Sequence, residues 1–309
     1  MSHVVDVQIY SLKGEINNYS FSEQNAQFVG IDWLQQVLDA KQSGSQLSVV
    51  TDPFDYQGVD QVIPMQPEQY FMMDYLLPAD LHDAKVLEVG LGSGVLSIFA
   101  LQQGAAMVTG LEINPRAKVY AGFNALINGV SDRLHIRDGN VQSIFAPVQD
   151  QQFDLIISNP PFEPTPPGMD YYLNSAAGIY GFTFVENLLK DANARLSDQG
   201  VLQIVTMAPG DREVPGMLVD AVKKYLPHGA TEIICDLAPI TYAAFVDRFV
   251  GIFGQDRSVI DAMKAEAATN GITHLHMCIL RYRKNTAPDL QISFTPKIYE
   301  PWETPLGIK

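Results

Sequence analysis

Two hydrophobic periods take turns along most of this chain. From Lys85 onward, short uninterrupted Val/Ile/Leu runs alternate with longer stretches whose apolar residues recur at helical spacing. The runs predict strands at Lys85–Val89, Ala106–Ile113, Leu134–Arg137, Phe153–Ser158, Val201–Met207, Thr231–Asp236 and Leu275–Arg283. The periodic stretches predict a helix ending near Gln103, then helices over Pro115–Asn128, Phe182–Arg195 and Gly216–Leu226, and an insertion of helical character over Tyr242–Thr269. Strands that are apolar throughout and separated by helices build a parallel sheet covered on both faces. The expected fold is α/β: a doubly wound, mostly parallel sheet of seven strands. Ligands of such sheets sit at the carboxyl ends of the strands.

Residues 1–60 break this rhythm and read as a small cap ahead of a main domain over 61–309. The cap has an apolar start (Val4–Leu12), a predicted helix near Ile31–Ala40, a linker-like KQSGSQ (41–46) and a strand at Leu47–Thr51. Residues 59–77 read as an extended approach turning into a helix, with Pro67 suited to the first helical turn. The tail carries spaced prolines, Pro296, Pro301 and Pro305, which suit an extended strap or an interface.

Composition narrows the picture. A 47% hydrophobic content is that of a globular enzyme, and no apolar run approaches the length of a membrane span. The start, MSHVVDVQIYSLKGEINNY, lacks a secretory signal pattern, and Cys235 and Cys278 are far apart, so the expectation is a cytoplasmic protein with free thiols. His274 and His276 have no third ligand near them in sequence, which favours packing or exposure over metal binding. The formal net charge is −15, and Lys13 and Lys41 are the only basic groups in residues 1–80 against eleven carboxylates. Nucleic-acid binders carry a positive face, so a nucleic-acid partner is disfavoured. The one tight basic cluster is Arg281, Arg283 and Lys284.

Three segments carry chemistry. In VLEVGLGSGVLSI (86–98) a buried strand runs into Gly90, Gly92 and Gly94 and then a helix. A dinucleotide fingerprint would need glycine where Val95 stands, and a nucleophile elbow would not place glycines directly beside Ser93. Glu112 ends the second strand, where a carboxylate can accept from both hydroxyls of a ribose; a surface carboxylate at a helix start is the plainer alternative. After the third strand comes RDGN, and either Asp138 or Asn140 can meet an adenine amino group. The fourth strand ends in Asn159-Pro160-Pro161-Phe162. The Asn159 side-chain oxygen and the Pro160 carbonyl can accept the two N–H bonds of a planar amide or exocyclic amine, whose lone pair is otherwise delocalised. The prolines preset the loop, and Phe162 can stack on a flat acceptor.

These motifs resemble class I S-adenosylmethionine-dependent methyltransferases. Glu88 with Gly90, Gly92 and Gly94 resembles their motif I, and NPPF matches the N-P-P-[FY] of members that methylate planar nitrogen. VIPMQPEQ (62–69) and AAGIYGFTFVENLL (176–189) are similar to segments of the release-factor glutamine methyltransferases, with an arginine and an aspartate missing. The resemblance covers about 60–285. It implies a Rossmann-like domain, S-adenosyl-L-methionine held by Glu88, Gly90, Gly92, Gly94, Glu112 and Asp138 or Asn140, and a catalytic role for Asn159, Pro160 and Phe162. It implies methyl transfer to a glutamine-type amide of a protein or a small amide or amine. A ribosomal RNA guanine or adenine methyltransferase, or a natural-product enzyme, is the alternative, since NPPF with a different cap also occurs there.

Overall fold

The computed structural model describes the backbone of residues 4–11 and 16–22, together with residues 47–53, 56 and 58–295. The helix expected over Ile31–Ala40, the linker at 41–46 and the proline-spaced tail lie outside the described residues. β1 (Val4–Ser11) pairs antiparallel with β2 (Ile16–Ser22) on one edge and with β3 (Ser48–Thr51) on the other. Then come α1 (Pro67–Tyr75), α2 (Pro78–Leu81), β4 (Lys85–Val89), α3 (Val95–Gln102), β5 (Met107–Glu112), α4 (Pro115–Ile127), β6 (Leu134–Asp138) and β7 (Phe153–Ser158). The second half runs α5 (Thr183–Arg195), β8 (Leu196–Gly210), α6 (Gly216–Tyr225), β9 (Gly229–Asp236), β10 (Ile240–Thr241), α7 (Tyr242–Phe253), α8 (Arg257–Thr269), β11 (His274–Lys284) and β12 (Asp289–Thr295).

The main sheet has the order β12-β9-β11-β8-β7-β4-β5-β6, with β10 on β11. β4 to β8 are parallel to one another, and β11 runs antiparallel between β8 and β9. The sheet therefore has nine strands where seven were expected. β10 is too short to leave an apolar run. β12 pairs parallel with β9 at the sheet edge, and its DLQISFT is half solvated, which hides it from a search for continuous apolar runs. β8 outgrows its expected bounds at both ends: β11 pairs with it as far as Gly210, and Phe153 of β7 pairs with Leu196. Cys235 and Cys278 are free, buried and opposite each other across β9 and β11.

The seven apolar runs form strands because both sheet faces are covered. Val86, Leu155 and Ile157 join one apolar layer with residues of α1, α3, α7 and α8. Leu87, Val89, Phe153 and Ile156 join the other, with α5 and α6. From β4 the chain winds to β5 and β6 on one side and to β7 and β8 on the other. The reversal opens a crevice at the carboxyl ends of β4, β5 and β7.

The helix starts follow local chemistry. Pro67 opens α1, and the Gln66 N–H donates to Gln69 Oε1 at 2.6 Å. Asn114 caps α4, its side chain accepting from the Arg116 N–H at 2.9 Å, with Pro115 at the first helical position. The same helix grips the cap sheet. Asn124 and Asn128, one turn apart, present their amides to the free edge of β3. Asn124 accepts from Val50 N–H at 2.8 Å and donates to the Val50 carbonyl at 2.9 Å. Asn128 does the same for Ser48, at 3.1 and 2.6 Å. Just beyond β3, Asp52 is fully buried and accepts from Arg116 Nε (2.9 Å) and Nη2 (2.5 Å), Tyr120 Oη (2.8 Å) and Val62 N–H (2.8 Å). Tyr56 and Tyr120 lie against the Arg116 guanidinium.

Removing Arg116 leaves a buried carboxylate without its cation. Arg116→Ala should destabilise the protein by about 3 kcal/mol, the low end for a broken buried pair because Tyr120 and the Val62 N–H remain. A urea denaturation series checks this; an unchanged midpoint would show that the pair does not anchor the cap.

Candidate active site

The turn after β4 is built by its neighbour β5. Gly90 and Leu91 N–H both donate to the Leu111 carbonyl, at 3.0 and 3.1 Å. Gly92 N–H donates to Glu112 Oε2 at 2.7 Å, and Asn114 N–H to Glu112 Oε1 at 2.8 Å. Gly90 and Gly92 have φ of +77° and +53°, in the left-handed region, and a Cβ on either would meet no atom within 4 Å. Their open side faces the cavity that both line. Gly94 differs: its Cβ would meet the Ala121 Cβ at 3.1 Å, so its role is close packing of α3 on α4, and it is outside the cavity lining.

The cavity fills the crevice. One end is walled by Glu88, Gly90, Gly92, Glu112, Ile113 and Asn140. Glu88 is buried and takes a hydrogen bond from Ser97 Oγ; burial pushes its carboxyl up to about 8, against the opposing hydrogen bonds from Ser97. Of the two RDGN residues, Asn140 lines the cavity, with its Oδ1 accepting from Gln142 and Ser143 N–H at 2.9 Å each. The Asp138 side chain is 87% exposed and pairs with Lys118, away from the lining.

The other end is built around Asn159. β7 delivers it beside β4, where Ser158 Oγ donates to the Val89 carbonyl at 2.6 Å. Asn159 Oδ1 is buried and has no hydrogen-bond partner. Phe162 and Pro160 line the same wall. The loop is braced by the 175–181 stretch: Glu163 N–H donates to the Ser175 carbonyl (2.9 Å), Ala177 N–H to the Glu163 carbonyl (3.2 Å) and Thr165 N–H to the Gly178 carbonyl (2.9 Å). Gly181, at φ +71°, passes so close that a Cβ would meet the Phe162 carbonyl oxygen at 2.2 Å.

Three charged residues at this end were not singled out in the sequence. Glu68, from the first turn of α1, is buried, and burial with the nearby Glu163 pushes its carboxyl up to about 8. Glu163 accepts from Tyr171 Oη at 2.8 Å; burial raises its carboxyl, opposed by Arg248. Arg248 reaches in from α7 with its guanidinium over the Phe245 ring. The segment around Pro64–Met73 and the 242–269 insertion thus both contribute to the wall. The basic cluster of β11 lies outside the cavity lining: Arg281 and Arg283 share the Asp80 carboxylate, and Lys284 Nζ donates to the Leu196 carbonyl.

A parallel sheet reversing at β4, a glycine turn tied to an acidic residue on β5, and NPPF at the end of β7 define a doubly wound transferase of the class I methyltransferase type. A family model described as Methyltransferase small domain matches residues 70–224, half of the chain, and the chain belongs to that family. Over 161 residues it is 33% identical to a Methanocaldococcus jannaschii protein named "Putative protein N5-glutamine methyltransferase", covering 49% of this chain and 79% of that one. It is 44% identical over 85 residues to a release factor glutamine methyltransferase of Geobacter sulfurreducens (27% of this chain, 28% of that protein). It is 31% identical over 159 residues to a tRNA1(Val) (adenine(37)-N6)-methyltransferase of Porphyromonas gingivalis (50% and 62%). The last two alignments span less than two thirds of those proteins. A solved SAM-dependent methyltransferase from Agrobacterium tumefaciens shares the fold at TM-score 0.50 and 14% identity, over 77% of this chain and 67% of that one. The chain is an S-adenosylmethionine-dependent methyltransferase. No helix of the described residues is long and apolar enough to cross a membrane.

Glu112 can be tested without any ligand. Glu112→Ala leaves the Gly92 and Asn114 N–H groups without their charged acceptor and should lower folding stability by about 1.5–3 kcal/mol. Chemical denaturation of the unliganded protein measures it; a loss below 0.5 kcal/mol, roughly the limit for an inert surface change, would mean that water replaces the carboxylate at no cost.

Proposed function

We propose that this enzyme methylates a planar nitrogen, a glutamine-type amide of a protein or a small amide or amine, with Asn159 and Pro160 holding the acceptor. The observation that carries this reading is the unpartnered, buried Asn159 Oδ1 in the cavity wall. Leaving such an acceptor unsatisfied costs about 1–3 kcal/mol, a cost that an N–H donor on a ligand in the cavity removes. The cavity also fits the cofactor: the open Cβ directions at Gly90 and Gly92 leave room for close approach to the backbone. When bound, S-adenosylmethionine supplies a methyl group on a sulfonium, an electrophile that needs no metal or acid.

The residues of the chain then divide the work. Glu112, already fixed by two N–H groups, keeps lone pairs on both oxygens for the hydroxyls of a ribose. Glu88 and the Gly90–Gly92 turn flank the cofactor, Gly94 sets the helix that follows, and Asn140 rather than Asp138 stands at the adenine end. Asn159 Oδ1 and the Pro160 carbonyl accept the two N–H bonds of the acceptor, aim its nitrogen and stabilise the positive charge that grows on it. Phe162 stacks on the flat group. Residues 1–60 serve as the recognition cap. The acceptor is read as an amide rather than a nucleic-acid base because the lining carries carboxylates, and the basic cluster of β11 lies outside that lining.

Asn159→Ala should leave S-adenosylhomocysteine affinity within threefold, roughly the scatter of such measurements, and lower turnover by about 10²–10³, the usual cost of one preorganised polar group. Turnover is measured by transfer of labelled methyl into a cell lysate. The label should enter protein or small molecules and resist ribonuclease. Ribonuclease-sensitive label would instead make this an RNA base methyltransferase, and wild-type turnover in the variant would remove Asn159 from the mechanism.

A further inference from the structure

The acceptor end of the cavity is only as firm as what stands behind it. The NPPF loop leans on the Gly178–Gly181 turn: Thr165 N–H donates to the Gly178 carbonyl at 2.9 Å, and Gly181 packs against the Phe162 carbonyl. That turn is soft by itself. Gly178 and Gly181 both hold left-handed φ, +77° and +71°, and Gly181 N–H closes the turn on the Gly178 carbonyl at 3.0 Å. Its two central residues are gripped from outside, by the α7–α8 insertion. Tyr242 Oη donates to the Ile179 carbonyl. Tyr180 Oη donates to Glu266 Oε1 at 3.0 Å and accepts from Asn270 Nδ2 at 2.9 Å.

We propose that Tyr242 is a positioning residue for methyl transfer: its hydroxyl fixes the turn at Ile179, and through the turn the NPPF loop that carries Asn159. Tyr242 is 2% exposed and outside the cavity lining, so it acts on the acceptor through the loop and not by contact. Its own place is set by the main sheet. Ile240 and Thr241 pair with Leu275 and His274 of β11, the Tyr242 N–H donates to the Thr273 carbonyl at 2.9 Å, and Thr241 caps α7. The hydroxyl therefore reaches a glycine turn from a helix start bolted to a strand. The same helix carries Phe245 and Arg248 into the lining. Asn159 Oδ1 can aim an acceptor nitrogen only while its loop keeps one position, because small displacements at a reacting centre cost much in rate. The proposal rests on reading Asn159 as the hydrogen-bond partner of the acceptor.

The rival role for a buried tyrosine is packing alone. The Tyr242 ring lies 6.5 Å from that of Tyr180, between centroids, and joins the apolar layer that α7 and α8 share with the sheet. Tyr242→Phe keeps the ring and removes only the hydroxyl, so it separates the two roles.

The test compares full-length Y242F with wild type by amide hydrogen exchange and by transfer of labelled methyl from S-adenosylmethionine into a cell lysate. Exchange at Thr165, Ala177 and Gly181 should quicken by roughly tenfold, the upper worth of one hydrogen bond, and stay unchanged in the Gly90–Gly92 turn. With S-adenosylmethionine varied, the saturating rate should fall by roughly tenfold while KM for the cofactor stays within about threefold. Tyr282→Phe is the control. It deletes a buried hydroxyl on the other sheet face, which donates to Asn193 at 3.0 Å, and should keep the wild-type rate. Unchanged exchange in Y242F overturns the proposal whatever acceptor the lysate holds. A rate within about twofold of wild type, less than one hydrogen bond is worth, overturns it too. So does a Y282F enzyme as slow as Y242F, since loss would then follow stability and not position. If Y242F exchanges faster throughout the chain, and so is misfolded, Tyr180→Phe carries the same readouts with the same outcomes. N159A at wild-type turnover removes the reading of Asn159 and the proposal with it; slow N159A beside fast Y242F removes the proposal alone.

Discussion

The architecture of the site depends on one carboxylate. Glu112 ends β5 and spends its two oxygens on the N–H of Gly92, in the turn after β4, and the N–H of Asn114, the cap of α4. Two consecutive β-α turns are thereby locked at a fixed distance. Asn114 extends the lock, since its side chain donates to the Asp60 carbonyl and caps α4 through the Arg116 N–H. The approach segment, both turns and the helix that grips β3 thus share one anchor. A glycine turn is soft by nature, because glycine has the most conformational freedom to lose. Fastening it to a charged acceptor on a rigid strand makes it a site rather than a loop.

The opposite wall obeys a different constraint. NPPF has no regular partner strand, and its prolines remove two backbone donors. Its rigidity comes from the 175–181 stretch, whose carbonyls and N–H groups pair with Glu163 and Thr165, and from Gly181, where only hydrogen fits beside the Phe162 carbonyl. Asn159 can therefore keep a buried, unpaired oxygen without the loop collapsing onto it. One wall is held by charge and the other by close packing, and the cavity lies between them.

Much of this was legible in the sequence, for identifiable reasons. The central strands were readable because burial on both faces leaves a run of apolar residues that local inspection finds. β12 was not, since an edge strand with one solvated side alternates like any amphipathic segment. The glycine turn, Glu112 and Asn159 were readable because each is fixed by its position at a strand end. Glu68, Glu163 and Arg248 were not. They stand in unrelated segments, and only the fold brings α1, the NPPF loop and α7 to one wall. The choice between Asp138 and Asn140 was equally closed to sequence reasoning, because what draws Asp138 outward is Lys118 on another element.

The way α4 holds the cap sheet bears on how such enzymes diversify. Asn124 and Asn128 read only the main-chain groups of Val50 and Ser48, as a neighbouring strand would, and main-chain groups are the same in every sequence. A strand of other composition could dock on the same two amides, provided that an acidic residue followed it to meet Arg116. The attachment behaves as a standard fitting. A cap of different side chains can be joined at this helix while the strand ends behind it stay as they are.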